Sequence, residues 1–233
     1  MYLKSITSLS APAIEPVSMD EAFAFCRVDN TDEAVILEGM IAAARETVEN
    51  FTGRALISQQ FVLTVPSWWA AYRTGDRSGE LLTVGTNTQA ANNILAWYPN
   101  ARRTDWNVIY LDRSPLLSVD SVKYYDSSET LVTMDPSLYY VLLKGEPGAM
   151  VLKATSSWPD VFDRPDAVQI TFTAGHGTVS TSVPAVLRSA VLLFVKHLYD
   201  NRDAFTIGNG SAIELPWGIK HLLESKRVDG WVS

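Results

Sequence analysis

The segment over residues 18–57 constrains the fold more than any other part of the chain, because it encodes two helices joined by a very short polar corner. Ser18, followed three residues later by Glu21, forms a capping-box pattern that predicts the start of the first helix. Thr31 is predicted to cap a second, amphipathic helix, which Gly53 ends by adopting a left-handed conformation. No residue of the segment belongs to a catalytic pattern, so the segment indicates a structural role rather than catalysis.

The middle of the chain has a β pattern. Short alternating stretches follow one another at intervals of about 8–12 residues, with turn residues between them, which is typical of a small antiparallel sandwich or barrel. The predicted strands cover residues 60–65, 108–111, 119–125, 131–134, 139–143, 149–153 and 168–173. Residues 67–106 show no sustained period and are interpreted as a loop or variable insertion, with two short strands expected at 80–84 and 94–97.

Helical periodicity returns after the β block. Ser182 is predicted to cap a broadly apolar helix that runs to about Tyr199, with Pro184 in its first turn. Pro216 is predicted to start a short final helix that ends near Arg227. The order predicts an α+β fold in which N- and C-terminal helices form a small bundle and an antiparallel β domain is inserted between them. The predicted divisions are residues 1–57, with an extended leader over 1–17, then 58–178, then 179–233.

Composition argues against several function classes. The 233 residues include 19 Lys and Arg against 26 Asp and Glu, so the formal net charge is −7. Sequence-independent binding to nucleic acid needs clustered cations, and the nearest approach to a cluster is Arg102-Arg103. The longest apolar run, 190–195, is far shorter than the ~20 residues of a membrane span, and no signal-peptide pattern opens the chain. We therefore expect a cytosolic protein without membrane contact.

The reactive residue types do not form a recognisable site. Cys26 lies in an apolar helical stretch that favours an inert buried thiol over a nucleophile. His176 is predicted to lie in a turn, His197 near a helix end and His221 on a solvated helix. Asp200 and Asp203 flank Arg202, which favours a helix-end ion pair over paired catalytic carboxylates. No zinc, nucleotide or serine-nucleophile motif is present, so we predict no catalytic residue, cofactor or metal site.

Aromatic residues suggest contact with partners instead. Seven Trp and nine Tyr are many for this length, and these side chains are favoured at interfaces, although core packing is the ordinary alternative. Several of them fall in segments interpreted as loops or termini. The candidate interface residues are Trp68, Trp69, Arg202, Phe205, Trp217, Ile219, Leu222 and Trp231.

Three ordered segments resemble one protein family. They are the stretch from Met19 to Gln59, the stretch 113–124 that begins Arg-Ser-Pro-Leu-Leu, and Phe172-Thr-Ala-Gly-His-Gly followed by 183–202. Together they resemble, in the same order, the head–tail connector (adaptor) proteins of tailed double-stranded DNA bacteriophages and gene transfer agents. Residues 67–106 match no part of that pattern.

The resemblance implies a structural virion protein rather than an enzyme. Such adaptors form a ring, usually of twelve copies, beneath the portal protein; the ring continues the DNA channel and docks a stopper or tail-completion protein. It implies a chain made in the host cytoplasm and located in the virion neck, with DNA passing through the lumen without specific binding. Residues 1–17 and 203–233 are then the expected docking segments. The alternatives are a hydrolase using His176 or His197, and a carbohydrate-binding module.

Overall fold

The protein is described here by a computed structural model, over residues 4–29, 31–68, 107–201 and 216–228. Four α-helices and eight β-strands occur within these ranges. In chain order they are β1 (Ser5–Ser8), α1 (Met19–Cys26), α2 (Ala34–Thr52), β2 (Gln59–Val65), β3 (Val108–Tyr110), β4 (Leu116–Tyr125), β5 (Leu131–Thr133), β6 (Tyr139–Leu142), β7 (Ala149–Leu152), β8 (Val168–Ala174), α3 (Ala185–Asp200) and α4 (Trp217–Glu224). The predicted α+β fold is confirmed. The strands expected at 80–84 and 94–97 lie outside the described residues.

The first helix begins with the predicted capping box. The Ser18 hydroxyl accepts a hydrogen bond from the Glu21 amide at 3.2 Å, and the Glu21 carboxylate accepts one from the Ser18 amide at 2.8 Å. The second helix begins later than predicted: Thr31 opens a short 3₁₀ turn, and Glu33 stands at the cap position without a side-chain capping bond. Gly53 ends this helix at a φ of 70°, in the left-handed region that glycine tolerates.

The third helix also starts differently from the prediction. Ser182 lies in a 3₁₀ turn, and Pro184 occupies the cap position of α3 without a side-chain capping bond. A proline disfavours helical geometry in the residue before it, so Val183 is extended and the helix cannot start at Ser182. The final helix, α4, ends at Glu224, before the predicted end near Arg227.

The four helices pack around one apolar core. Helix α3 contacts α1, α2 and α4, which makes it the central helix of the group. Its buried residues face the buried side of α2 and the two short helices. The fully buried side chains of this core include Ala22, Leu37, Ala44, Val48, Leu187, Ala190, Val191, Val195 and Leu223. None of the helices in the described ranges is long and apolar enough to cross a membrane.

The strands form two antiparallel sheets that share a second apolar core. The larger sheet has the order β1-β2-β8-β4-β5, and the smaller one has the order β3-β7-β6. Phe61 and Phe172 stack at 5.6 Å between ring centroids, while Ile109 and Met150 bury the inner side of the smaller sheet. The described strands leave the sheets open, so the arrangement is a sandwich and not a closed barrel.

The N-terminal segment contains a strand that the sequence did not predict. Residues 1–17 were expected to form an extended leader, but Ser5–Ser8 pair with β2 as the outer strand of the larger sheet. Only Ile6 is apolar in this strand, so the segment lacks the alternation that would predict it. The segment forms a strand because β2, a long regular strand, offers it backbone groups for pairing, which outweighs its weak local β preference.

Candidate interaction surfaces

The helical and β regions meet at a buried polar cluster around the C-terminal end of α2. Glu49 is 6% exposed; its Oε1 accepts hydrogen bonds from the Leu56 amide at 2.7 Å and from Gln59 Nε2 at 2.9 Å. Its Oε2 accepts a bond from Arg45 Nη1 at 3.0 Å. Burial raises the pKa of Glu49, while the Leu56 amide and the Arg45 guanidinium act in the opposite direction. This carboxylate therefore ties the end of α2 to the start of β2.

A second buried cation joins three segments that are distant in the sequence. The guanidinium of Arg54 donates two hydrogen bonds to Glu146, at 2.9 and 2.6 Å, and its Nε donates to the Lys226 carbonyl. The bond from Arg54 is the largest cause of the lowered pKa of Glu146. The Val228 amide also donates to the Thr52 carbonyl at 2.9 Å. These bonds anchor the end of α4 against the end of α2 and the β6–β7 turn.

The histidines lie in three separate surroundings. His176 is half-buried near Arg54 and Glu146, and burial lowers its pKa. His197 stacks on Phe194, and the ring of His221 lies 5.6 Å from that of Trp217. Within the described ranges, no group of three or more His, Cys, Asp or Glu side chains could hold a metal ion. The described histidines are therefore not assembled into one site.

The Cys26 thiol is buried within the helical core. Burial raises its pKa, which disfavours the reactive thiolate. The buried position of this thiol agrees with the interpretation made from the sequence.

Four of the predicted interface residues are described, and they differ in exposure. Trp68 is 5% exposed, stacks on Trp158 at 4.6 Å and donates from Nε1 to the Pro159 carbonyl, so it serves the core of the β region. Ile219 is 5% exposed, and Leu222, half-buried, packs against the helical core. Trp217 is 80% exposed. The other four, Trp69, Arg202, Phe205 and Trp231, lie outside the described residues.

An exposed apolar surface lies where α1 ends and α2 begins. We call it the helix-end surface, and it consists of Phe25, Val35 and Ile36, which are 40, 78 and 48% exposed. The Tyr199 hydroxyl donates to Glu33 at 2.6 Å, which brings the end of α3 to the same place. The buried side of α2 is marked by apolar residues at steps of three and four: Leu37, Ile41, Ala44 and Val48. Val35 falls on the opposite side of the helix, and an apolar residue outside the buried stripe is the sequence signal that could have found the surface.

A second exposed apolar surface lies on the smaller sheet. We call it the sheet-face surface, and it consists of Tyr140, Leu142 and Leu143, which are 59, 50 and 46% exposed. Tyr139 and Val141, which alternate with Tyr140 and Leu142, pack into the β core, and Leu143 lies in the turn that follows β6. The chain is apolar at every position from Tyr139 to Leu143, and a strand points alternate side chains to opposite faces, so the run itself indicates an outward apolar face.

The fold is shared with chains of gene transfer agent particles. A chain from the neck of an empty gene transfer agent particle, computed with C6 symmetry, matches at a TM-score of 0.65 and 20% identity, over 96% of this chain and 95% of that one. A chain from the virion of a native particle matches at 0.64 and 19%, and one from a native neck computed with C12 symmetry matches at 0.58 and 18%, with the same coverage. No family model and no curated protein matches the sequence.

Proposed function

We propose that this chain is a head–tail adaptor, a structural protein that forms a ring in the neck of a tailed virus-like particle. The observation that carries the proposal is the fold match over 96% of this chain and 95% of a neck chain. Because the match spans almost all of both chains, it includes the helical bundle, the inserted sheets and their order. The motifs over 19–59, 113–124, 172–177 and 183–202 support it as well, because they are features of the sequence and not of the fold.

The proposed assembly is a ring of twelve copies below the portal protein. One of the matching neck structures was computed with C12 symmetry and another with C6 symmetry, and a twelve-membered ring is compatible with either. In this proposal the ring continues the DNA channel and docks a stopper or tail-completion protein on its other side. The chain, made in the host cytoplasm, would reside in the virion neck, and its net charge of −7 suits a channel that does not grip DNA.

The C-terminal helix is the proposed docking element. Helix α4 presents Trp217 to solvent while Ile219 and Leu223, on its other side, are buried in the helical core. Large aromatic side chains dominate the energy of many interfaces once a partner buries them. The proposed docking surface also includes Arg202, Phe205 and Trp231, with Trp69 as a further candidate in the β domain (58–178).

The test is to image the chain with its partner. The purified protein would be mixed with the portal protein of the same particle and examined by negative-stain microscopy, and particles carrying a tagged chain would be labelled at the tag. We expect a ring on the portal face and label at the head–tail junction. A chain that forms no ring on portals, and whose label lies on the capsid shell or the distal tail, would refute the proposal.

A further inference from the structure

We propose that neighbouring copies of this chain bind each other head to tail, with the helix-end surface of one copy against the sheet-face surface of the next. The inference rests on the proposed ring function, because it assigns the contact that would build the ring. Each surface is exposed in the single chain, and the two lie on different elements of the fold.

The sheet-face surface has the properties of a strand that a partner covers. β6 is the outer strand of its sheet among the described strands, because it pairs with β7 alone. Natural outer strands are usually protected by short length, a charge, a proline or a covering element. Tyr139–Leu142 is short, at four residues, but contains neither charge nor proline. Tyr140 and Leu142 nevertheless leave half or more of their surface exposed. An exposed apolar face of this kind is what a partner would cover.

The surroundings of the two surfaces carry opposite charge. In the segments that form and adjoin the helix-end surface, 25–38 and 196–200, the carboxylates outnumber the cations. The carboxylates are Asp29, Asp32, Glu33, Glu38 and Asp200, and the cations are Arg27 and Lys196. Beside the sheet-face surface Lys153 Nζ lies 4.9 Å from the centre of the Tyr140 ring, and Lys144 is exposed in the following turn. The acidic groups there are Asp135, near Lys153, and Glu146, which is paired with Arg54. Opposite potentials of this kind favour one orientation of docking.

The two surfaces lie towards opposite ends of α2. This helix spans 19 residues, so its first residue lies about 27 Å from its last. The helix-end surface contains the first turn, whereas Arg54, just after the last turn, is bound to Glu146 in the turn that follows the sheet-face surface. This separation favours a contact between two copies over a contact within one chain. Because the two patches differ, the contact is of the heterologous type that generates rings or open helices.

Cross-linking tests the contact directly. Val35→Cys and Leu142→Cys would be placed together in the full chain, purified at high concentration and treated with a flexible bismaleimide; the native Cys26 is buried. We expect a ladder of covalent oligomers from the double variant, and a dimer but no ladder from an equal mixture of the two single variants. Val179→Cys with Leu131→Cys, 52 and 43% exposed, is the matched control and should give several-fold less product.

Charge reversal supplies a second test that does not depend on cysteine chemistry. Lys144→Glu with Lys153→Glu on one surface, or Asp32→Lys with Glu38→Lys on the other, should each weaken association, as measured by sedimentation or by ring formation on portals. The chain carrying all four changes should recover association at least in part, because its charges are again opposite across the contact.

The outcomes separate this inference from the proposed function. Rings that form on portals while the Val35–Leu142 pair cross-links no better than the control would overturn the contact and leave the adaptor function standing. A ladder from that pair without any ring on portals would support the contact and count against the adaptor. A large loss of thermal stability in the isolated Leu142→Cys monomer would show that the sheet face is covered within one chain, and this would also overturn the contact.

Discussion

Replacement of Glu49 by alanine should be among the most destabilising single changes in the junction between the helical and β regions. The carboxylate is 6% exposed and accepts hydrogen bonds from the Leu56 amide, from Gln59 Nε2 and from Arg45 Nη1. Its removal leaves these three donors in a space that alanine does not fill. Arg45, itself 5% exposed, would keep its bond to Glu15 at 2.9 Å but lose its buried carboxylate partner.

The expected loss follows from the burial and the number of donors. Breaking a buried ion pair by removing one partner costs about 3–5 kcal/mol, because the remaining charge is left without compensation. For a chain of this size 1 kcal/mol corresponds to about 2–4 °C in Tm, so the variant should melt about 6–20 °C lower. Glu49→Gln should lose less, about 1.5–3 kcal/mol, because the amide oxygen still accepts from the backbone while its NH₂ faces the guanidinium.

The measurement is the free energy of unfolding from denaturant titration, with Tm from calorimetry. Glu46→Ala is the matched control, since Glu46 is on the same helix, carries the same charge and contacts Arg45 at 3.5 Å, yet its side chain is 66% exposed. We expect the control to change stability by less than about 1 kcal/mol. A Glu49→Ala variant that loses no more than the control would refute the assignment of this carboxylate as the buried link between α2 and β2.

Three further predictions concern other parts of the molecule. Gly148→Ala should destabilise the protein by about 1–3 kcal/mol in a denaturant titration, because the added methyl would lie 2.4 Å from the Cβ of Leu116. Gly39→Ala has open space around it in α2 and should stabilise the protein by about 0.5–1 kcal/mol. Glu146 has a lowered pKa in the folded state, so the stability that it contributes through Arg54 is present at pH values above its ordinary pKa of 4.5. This stability is lost as the pH falls through the folded pKa. Glu146→Gln should therefore make Tm depend less on pH in the acid range. Trp217→Ala should leave Tm within about 2–4 °C, since the ring is 80% exposed, but should weaken binding to the portal protein; unchanged portal binding would contradict the docking role of α4.

The local signals in the sequence were enough to predict most of the described elements and the fold class. The helix over Ala34–Thr52 follows from apolar steps of three and four and from Gly53, and β8 follows from strict alternation before a Gly-His-Gly turn. The features that were predicted wrongly depend on contacts or constraints that a local pattern does not show. β1 becomes a strand because it lies beside β2, and the start of α3 is set by Pro184 rather than by the nearest serine.

The candidate surfaces were harder to predict than the fold, because composition does not distinguish an aromatic residue in a core from one at an interface. Trp68, in a stretch interpreted as loop, lies against Trp158 in the β core, while Trp217 is exposed in a helix. The aliphatic residues Val35 and Leu142, which nothing in an aromatic count would select, are among the most exposed apolar side chains. Exposure is a property of the folded chain, so it could not be derived from residue type alone.

The polar junction gives the proposed ring contact a fixed geometry. One surface lies on the helical region and the other on the β region, so the angle between them depends on the bonds of Glu49 and Arg54 that join the regions. A ring of twelve requires each copy to turn by about 30° relative to the last, and a small change in that angle would alter the number of copies or prevent closure. Glu49→Gln should therefore disturb ring size in negative-stain images at temperatures where the chain is still folded. Twelvefold rings of unchanged diameter from that variant would show that the junction does not set the angle.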